Sequence, residues 1–239
     1  IIESNNAIAG AGILCRGTSM PVITRNEIRN NSADSGAAIY VDSGSIAEIT
    51  TNQIHDNNAI HGGGIYINRT GSGISNNEIY NNRATKGGGC YFRTAVSTIN
   101  ANTFRDNEAT FEGGGIYLTD GSHPAIFTAD SFIGNTALRG ADIMIKTAED
   151  TSIIPVAFTM SENYFSGSNA SQNGGALYVS EDVYLGVLRS KFLNVTTDGS
   201  GGGIYTFSPG SLWISNCLFN TKVPNGRFVS RYIFKVCSS

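Results

Sequence analysis

The chain of 239 residues sets 16 Lys and Arg against 19 Asp and Glu, and it holds 29 glycines but only 5 prolines. A formal net charge of −3 leaves no basic block to neutralise phosphates, which argues against a nucleic-acid binder; no apolar run is long enough to span a bilayer. Abundant glycine and asparagine with few charges point to many tight turns and little helix.

The chain opens at Ile1 in mid-pattern and reads as a mature or partial segment. The first unit runs Ile2-x-x-Asn5-x-Ala7 and then Gly10-Ala-Gly-Ile13-Leu14. The same two blocks return as Ile28/Asn31/Ala33 with Gly36–Tyr40, Ile54/Asn57/Ala59 with Gly62–Tyr66, and Ile79/Asn82/Ala84 with Gly87–Tyr91. Phe104/Asn107/Ala109 with Gly113–Tyr117 and Phe132/Asn135/Ala137 with Gly140–Met144 follow. Glycine blocks at Gly174–Tyr178 and Gly201–Tyr205 end the series, so the leading glycines are 26, 26, 25, 26, 27, 34 and 27 residues apart. A fixed period of this length means a solenoid. Each unit predicts short strands of period two joined by Gly and Asn turns, with no helical stretch. The fold expected is all-β: a right-handed single-stranded parallel β-helix of about eight coils over residues 1–222, with 223–239 as a tail, cap or partial coil. The 34-residue step predicts an insertion near Lys146–Pro155.

Stacked coils place equivalent residues about 4.8 Å apart. The first and third slots after the glycines are apolar in nearly every unit, so both face inward. Asn5, Asn31, Asn57, Asn82, Asn107 and Asn135 share one slot and predict an internal ladder in which stacked amides satisfy turn backbone. A second polar column holds Asn26, Asn52, Asn77, Asn102, Asp130 and Asn163. Between the two apolar columns, alternation points Tyr40, Tyr66, Tyr91, Tyr117, Tyr178 and Tyr205 outward, together with Leu14 and Met144. A stripe of that length exceeds the apolar patch a monomer usually leaves bare. It is a candidate contact surface for another protein or for sugar rings.

Cys15 and Cys90 lie three coils apart and read as small buried hydrophobes, whereas Cys217 and Cys237 are a candidate disulfide. Sequons at Asn30, Asn68, Asn169 and Asn194 are candidate N-glycosylation sites, though composition alone produces about that many.

The pairing of FxxN (Phe104–Asn107, Phe132–Asn135) with GGAL (Gly174–Leu177) resembles the repeats of the chlamydial polymorphic membrane proteins, autotransporter adhesins with β-helical passengers. The likeness spans roughly Ile2 to Phe219 and implies surface display with an adhesive or structural role.

β-Helices are often polysaccharide lyases or hydrolases, which need carboxylates clustered on neighbouring coils. Asp56 and Asp106 share a slot with Asn81 between them, and Asp42 is followed by Asn68 and Arg93. His55, His61 and His123 occupy different slots, with no third ligand for a metal. Lys146, Glu149 and Asp150 read as a solvated loop. The balance leans away from catalysis, with no cofactor or metal. It favours an extracellular or cell-surface segment that is structural or adhesive, with self-association, other surface proteins or glycans as partners. The alternative is a carbohydrate-active or polysaccharide-binding module beside the 146–155 insertion.

Overall fold

The computed structural model describes residues 1–146, 156–180, 183–207 and 211–220. Each coil contributes four short strands, and every strand pairs in parallel with its equivalents in the neighbouring coils. Sheet 1 has nine strands, from Ile2–Glu3 to Leu218–Asn220, and carries the [IF]xxN block. Sheet 2 runs from Asn6–Ala9 to Thr196–Thr197, sheet 3 from Ile13–Cys15 to Ile204–Thr206, and sheet 4 from Val22–Thr24 to Ser211–Ser215, with eight strands each. The register is the one the period implies: Ile28 pairs with Ile54, Ile65 with Cys90 and Ile74 with Ile99.

Three of the four corners turn through a single residue in left-handed conformation. The corner from sheet 2 to sheet 3 uses the leading glycine of each block, from Gly10 (φ +57°) to Gly201 (φ +72°). At Gly113 (φ +67°) a Cβ would sit 2.4 Å from the carbonyl oxygen of Ile116, so no side chain fits. The corner from sheet 1 to sheet 2 uses Asn30, Asp56, Asn81, Asp106, Gly134 and Asn194, side chains that tolerate this region. The corner before sheet 1 uses Thr51, Ala101 and Ala129 among others, which sequence propensity does not announce. Tight stacking on both sides holds them there.

The interior is one apolar column from Cys15 to Val195. Phe104, Phe132, Phe165, Phe192 and Phe219 stack up sheet 1 at ring separations of 4.9, 5.0, 4.5 and 4.5 Å, replacing the isoleucines of the earlier coils. Sheet 4 widens late: its strands have three residues until Ile126–Thr128, then six at Val156–Ser161 and Val183–Leu188. The insertion expected near Lys146–Pro155 lies mostly outside the described residues, and so do the 221–239 tail and its predicted boundary at 222/223. Sheets 1 to 3 carry on across the insertion, with Phe132 beside Phe165, Ala137 beside Ala170 and Ile143 beside Leu177.

Candidate functional surface: the tyrosine cleft

Because the glycine corner bends sharply, the outer faces of sheets 2 and 3 meet in a re-entrant angle. Tyr40, Tyr66, Tyr91 and Tyr117 project into it from sheet 3 and stack at 4.9, 4.8 and 5.0 Å, with interplanar angles from 6° to 18°. Met144 continues the column between Tyr117 and Tyr178, and Tyr178 meets Tyr205 at 4.8 Å. From sheet 2, the ring of His61 stands edge-on to Tyr91 at 5.2 Å, Lys86 Nζ lies 5.3 Å from the Tyr117 centroid and the Arg139 guanidinium 5.9 Å from that of Tyr178. These side chains fold over the rings.

The expectation of a bare outward stripe is therefore corrected. The stripe is external to the coil, but Tyr117 is only 1% exposed and Met144 2%, while Tyr66, Tyr91 and Tyr178 are also buried. Tyr40 and Tyr205 are half-buried, and Leu14, at the first coil, is the stripe's one exposed member. Alternation fixes the side of a sheet to which a residue points; it does not reveal that two sheets enclose that side. The stripe is a second apolar core beneath a polar lid. Burial first, with nearby phenols and carboxylates adding, holds the Tyr91 and Tyr117 hydroxyls above the usual phenol range. Asn68 Nδ2 donates to the Tyr40 hydroxyl at 3.3 Å.

The lid contains a group the sequence reading did not single out. Glu112 is 2% exposed and lies between Arg139 (3.2 Å) and Lys86 (3.7 Å), from the coils on either side. Both cations also lie over the ring of Phe111, at 5.0 and 5.8 Å. Burial, with Lys86 and Arg93 nearby, pushes the His61 imidazole below its ordinary range. Only the 25–27-residue spacing of His61, Lys86, Glu112 and Arg139 could have linked these residues in advance.

On the outer face of sheet 1, His55 stacks on Tyr80 at 4.5 Å, and the Arg105 guanidinium covers the other side of Tyr80 at 4.6 Å. Two carboxylates flank His55: Asp56 Oδ2 is 2.7 Å from Nδ1 and Glu27 Oε1 3.3 Å from Nε2. The space a substrate would need between an acid and a base is filled by this imidazole. His61 is remote from that group, packed on Tyr91, so the two histidines do not converge. Among the described residues no three His, Cys, Asp or Glu side chains could hold a metal.

The asparagine column lies inside the coil, between sheets 1 and 2. Asn31 Nδ2 donates to Asn57 Oδ1 (3.0 Å), Asn57 to Asn82 (2.9 Å), Asn82 to Asn107 (3.1 Å) and Asn107 to Asn135 (3.1 Å). Each rung also serves backbone, as when Asn82 Nδ2 donates to the Ile54 carbonyl at 2.8 Å. Asn5 joins by donating to Asn31 at 2.9 Å, but it is exposed. At the next rung Ser168 stands where Asn would be, and Asp142 from the glycine block completes the bonding. Its Oδ1 accepts from Asn135 Nδ2 (2.9 Å) and Ser168 Oγ (2.6 Å). The second column runs from Asn26 through Asn52, Asn77 and Asn102 to Asp130 and on to Asn163, whose Oδ1 accepts from the Asp130 amide at 2.9 Å, with Ser190 at the following rung. Ser45, Ser72, Ser97 and Ser122 form a third column, unforeseen, in which the hydroxyls of Ser72, Ser97 and Ser122 accept from loop backbone and that of Ser45 donates to the Gly17 carbonyl.

Of the sequons, Asn30, Asn169 and Asn194 are exposed; Asn68 is partly covered and already donates to Asp42 at 3.0 Å. Cys217 ends the second column, accepting from the Ser190 amide at 3.5 Å and donating to the Val187 carbonyl at 3.3 Å. Its suggested partner Cys237 lies outside the described residues, as do Glu149 and Asp150. The buried Cys15 and Cys90 thiols are pushed up by desolvation.

A right-handed β-helix family model matches residues 2–145. The chain belongs to the right-handed β-helix family. The match ends where the insertion begins, although sheets 1 to 3 continue beyond it, with one register shift in sheet 2 between Ala137 and Arg139. No curated protein and no solved structure matches the chain.

Proposed function

We propose that this β-helix is a non-catalytic extracellular segment with a structural or adhesive role, working within a cell-surface assembly that can be a fibre or filament. One observation carries the reading: the outward charges are neutralised from one coil to the next rather than converging on a ligand. Arg29 meets Glu3 at 2.7 Å, Arg16 meets Asp42 at 3.1 Å, Arg83 meets Glu108 at 3.0 Å, Arg93 meets Asp120 at 2.8 Å and Arg189 meets Glu162 at 2.9 Å. Each partner comes from the adjoining coil, so the pattern runs along the rod. The motif likeness to polymorphic membrane protein repeats favours surface display, with other surface proteins, glycans or further copies of the chain as partners.

The test has two arms. The purified chain, incubated with a panel of neutral and uronate polysaccharides, is expected to release no reducing ends. Immobilised on a surface, it is expected to retain cells or matrix proteins above an uncoated control. Release of reducing ends that Asp56→Asn abolishes would reverse the reading.

A second reading, that of a polysaccharide-binding module, rests on the widened part of sheet 4. There Tyr184 and Trp213 are exposed beside Gly186, with Thr159 and Ser211 at the edge of a hollow of about 360 Å³. Flat aromatic faces with neighbouring hydroxyls suit sugar rings. Trp213 is the chain's single tryptophan, so its fluorescence reports on this spot alone. A saturable change on adding oligosaccharides, lost in Tyr184→Ala, would favour that reading; an unresponsive signal would dismiss it.

A further inference from the structure

We propose that Asp130 and Asp142 are protonated rungs of the internal ladders, so that the coils around them are tightened by bound protons and loosen as the pH rises from acid to neutral. The case begins with the parity of donors and acceptors. In the second column Asn52, Asn77 and Asn102 each accept at Oδ1 from the amide and side chain of the preceding rung, and donate through Nδ2 to the following rung and to a carbonyl of the preceding coil. Asn77 does both, to Asn102 Oδ1 (3.0 Å) and to the Ile49 carbonyl (2.9 Å). Asp130 keeps the accepting half, taking the Asn102 amide at 2.8 Å and Nδ2 at 2.9 Å. Its Oδ2 stands where the other rungs present an N–H, and it is buried with no donor in reach. A carboxylate oxygen in a donor's place faces acceptors; a carboxylic acid places an O–H there and restores the parity.

Asp142 has the same character on the other ladder. Its Oδ1 takes both available donors, Asn135 Nδ2 and Ser168 Oγ, while its Oδ2 is buried without a partner. Among the described residues burial and hydrogen bonds act on the two groups, and no cation does. The one titratable side chain that senses Asp130 is the buried Cys90 thiol. Asn135 and Ser168, both uncharged, are the side chains that bond to Asp142. This differs from Glu112, equally buried but held by Lys86 and Arg139. Burial raises both Asp130 and Asp142 to about 7.

An acid whose folded-state value lies above its unfolded one stabilises the fold fully below the unfolded value, and that contribution is lost as pH rises towards the folded one. The window here runs from about 4 to about 7, with the released proton passing to solvent. Across it the unfolding equilibrium constant is expected to rise roughly tenfold per pH unit for each acid.

The experiment is equilibrium unfolding of the full chain at intervals from pH 4 to pH 8.5, for the native sequence, Asp130→Asn and Asp142→Asn. Asp130→Asn restores the residue used elsewhere in its column, so that variant keeps the fold. It is expected to remove about one factor of ten per pH unit from the slope and to be the more stable protein at pH 8. The infrared band of a protonated carboxyl, present in the native chain at pH 5.5, is expected to weaken in each variant. An unchanged slope in Asp130→Asn, or a native chain lacking that band, would overturn the proposal.

Discussion

At the scale of single residues, position within a column decides what a substitution costs. Replacing Asn82 by Leu strips the acceptor from the Asn57 amide and side chain and the donor from the Ile54 carbonyl, all buried. Each orphaned group costs about 1–3 kcal/mol, so denaturant unfolding is expected to show a loss of several kcal/mol. Asn5→Leu, at an exposed rung, is expected to cost less than about 1 kcal/mol; equal losses would count against a ladder. The exchange at Ser168 makes a sharper case. Asp142→Ala leaves Asn135 Nδ2 with the Phe104 carbonyl alone, one of its two acceptors, and is expected to cost about 1–3 kcal/mol at pH 5. Adding Ser168→Asn supplies the missing rung, as Asn107 does between Asn82 and Asn135, and is expected to recover most of the loss. Simple additivity of the two changes would mean that Asp142 does not stand in for the asparagine. The ladder itself was legible in the spacing of Asn31 to Asn135. The rescue by Asp142 was not, because two corners of different coils meet only inside the solenoid.

At the scale of the coil element, the glycine block has two kinds of position. Gly113 turns the corner at φ +67°, where a side chain collides with the backbone of Ile116. Gly115 occupies the slot that other coils fill with Ala38, Asp142 and Ala176. A Cβ at Gly115 would also meet backbone, 2.6 Å from the Asp142 carbonyl oxygen, but without a left-handed φ; Gly113→Ala is accordingly expected to destabilise by about 1–3 kcal/mol and Gly115→Ala by less, as read from melting temperatures. Strands were legible wherever period-two alternation met a glycine or asparagine turn. The left-handed corners at Thr51, Ala101 and Ala129 were not, since stacking by neighbouring coils overrides what those residues prefer alone. The tyrosine stripe belongs to the same lesson: its side of the sheet was readable, whereas its burial depends on Lys86, Glu112 and Arg139 reaching across from the neighbouring sheet.

For the whole molecule, contacts join residues about one coil apart, and stability is close to a sum over adjacent coils. Changing Tyr66, Tyr91 and Tyr117 together to Ser empties three stacked sites of the outer core. It is expected to lower the melting temperature sharply, since even one large aromatic truncation in a core costs about 3–5 kcal/mol. The mass measured by light scattering is expected to be unaltered, because the rings are covered in the single chain. Loss of an assembly with no loss of stability would return the stripe to the role of a contact surface.

The tyrosine column also has an optical consequence. Four phenol rings held nearly parallel and about 5 Å apart are coupled chromophores, so their near-ultraviolet transitions mix and give circular dichroism that isolated tyrosines lack. Met144 divides the column into a block of four and a pair, which makes the coupling finite and the signal a gauge of how many coils remain in register. A Met144→Tyr chain would join the two blocks, and its spectrum would then follow the opening of coils on either side of the 146–155 insertion.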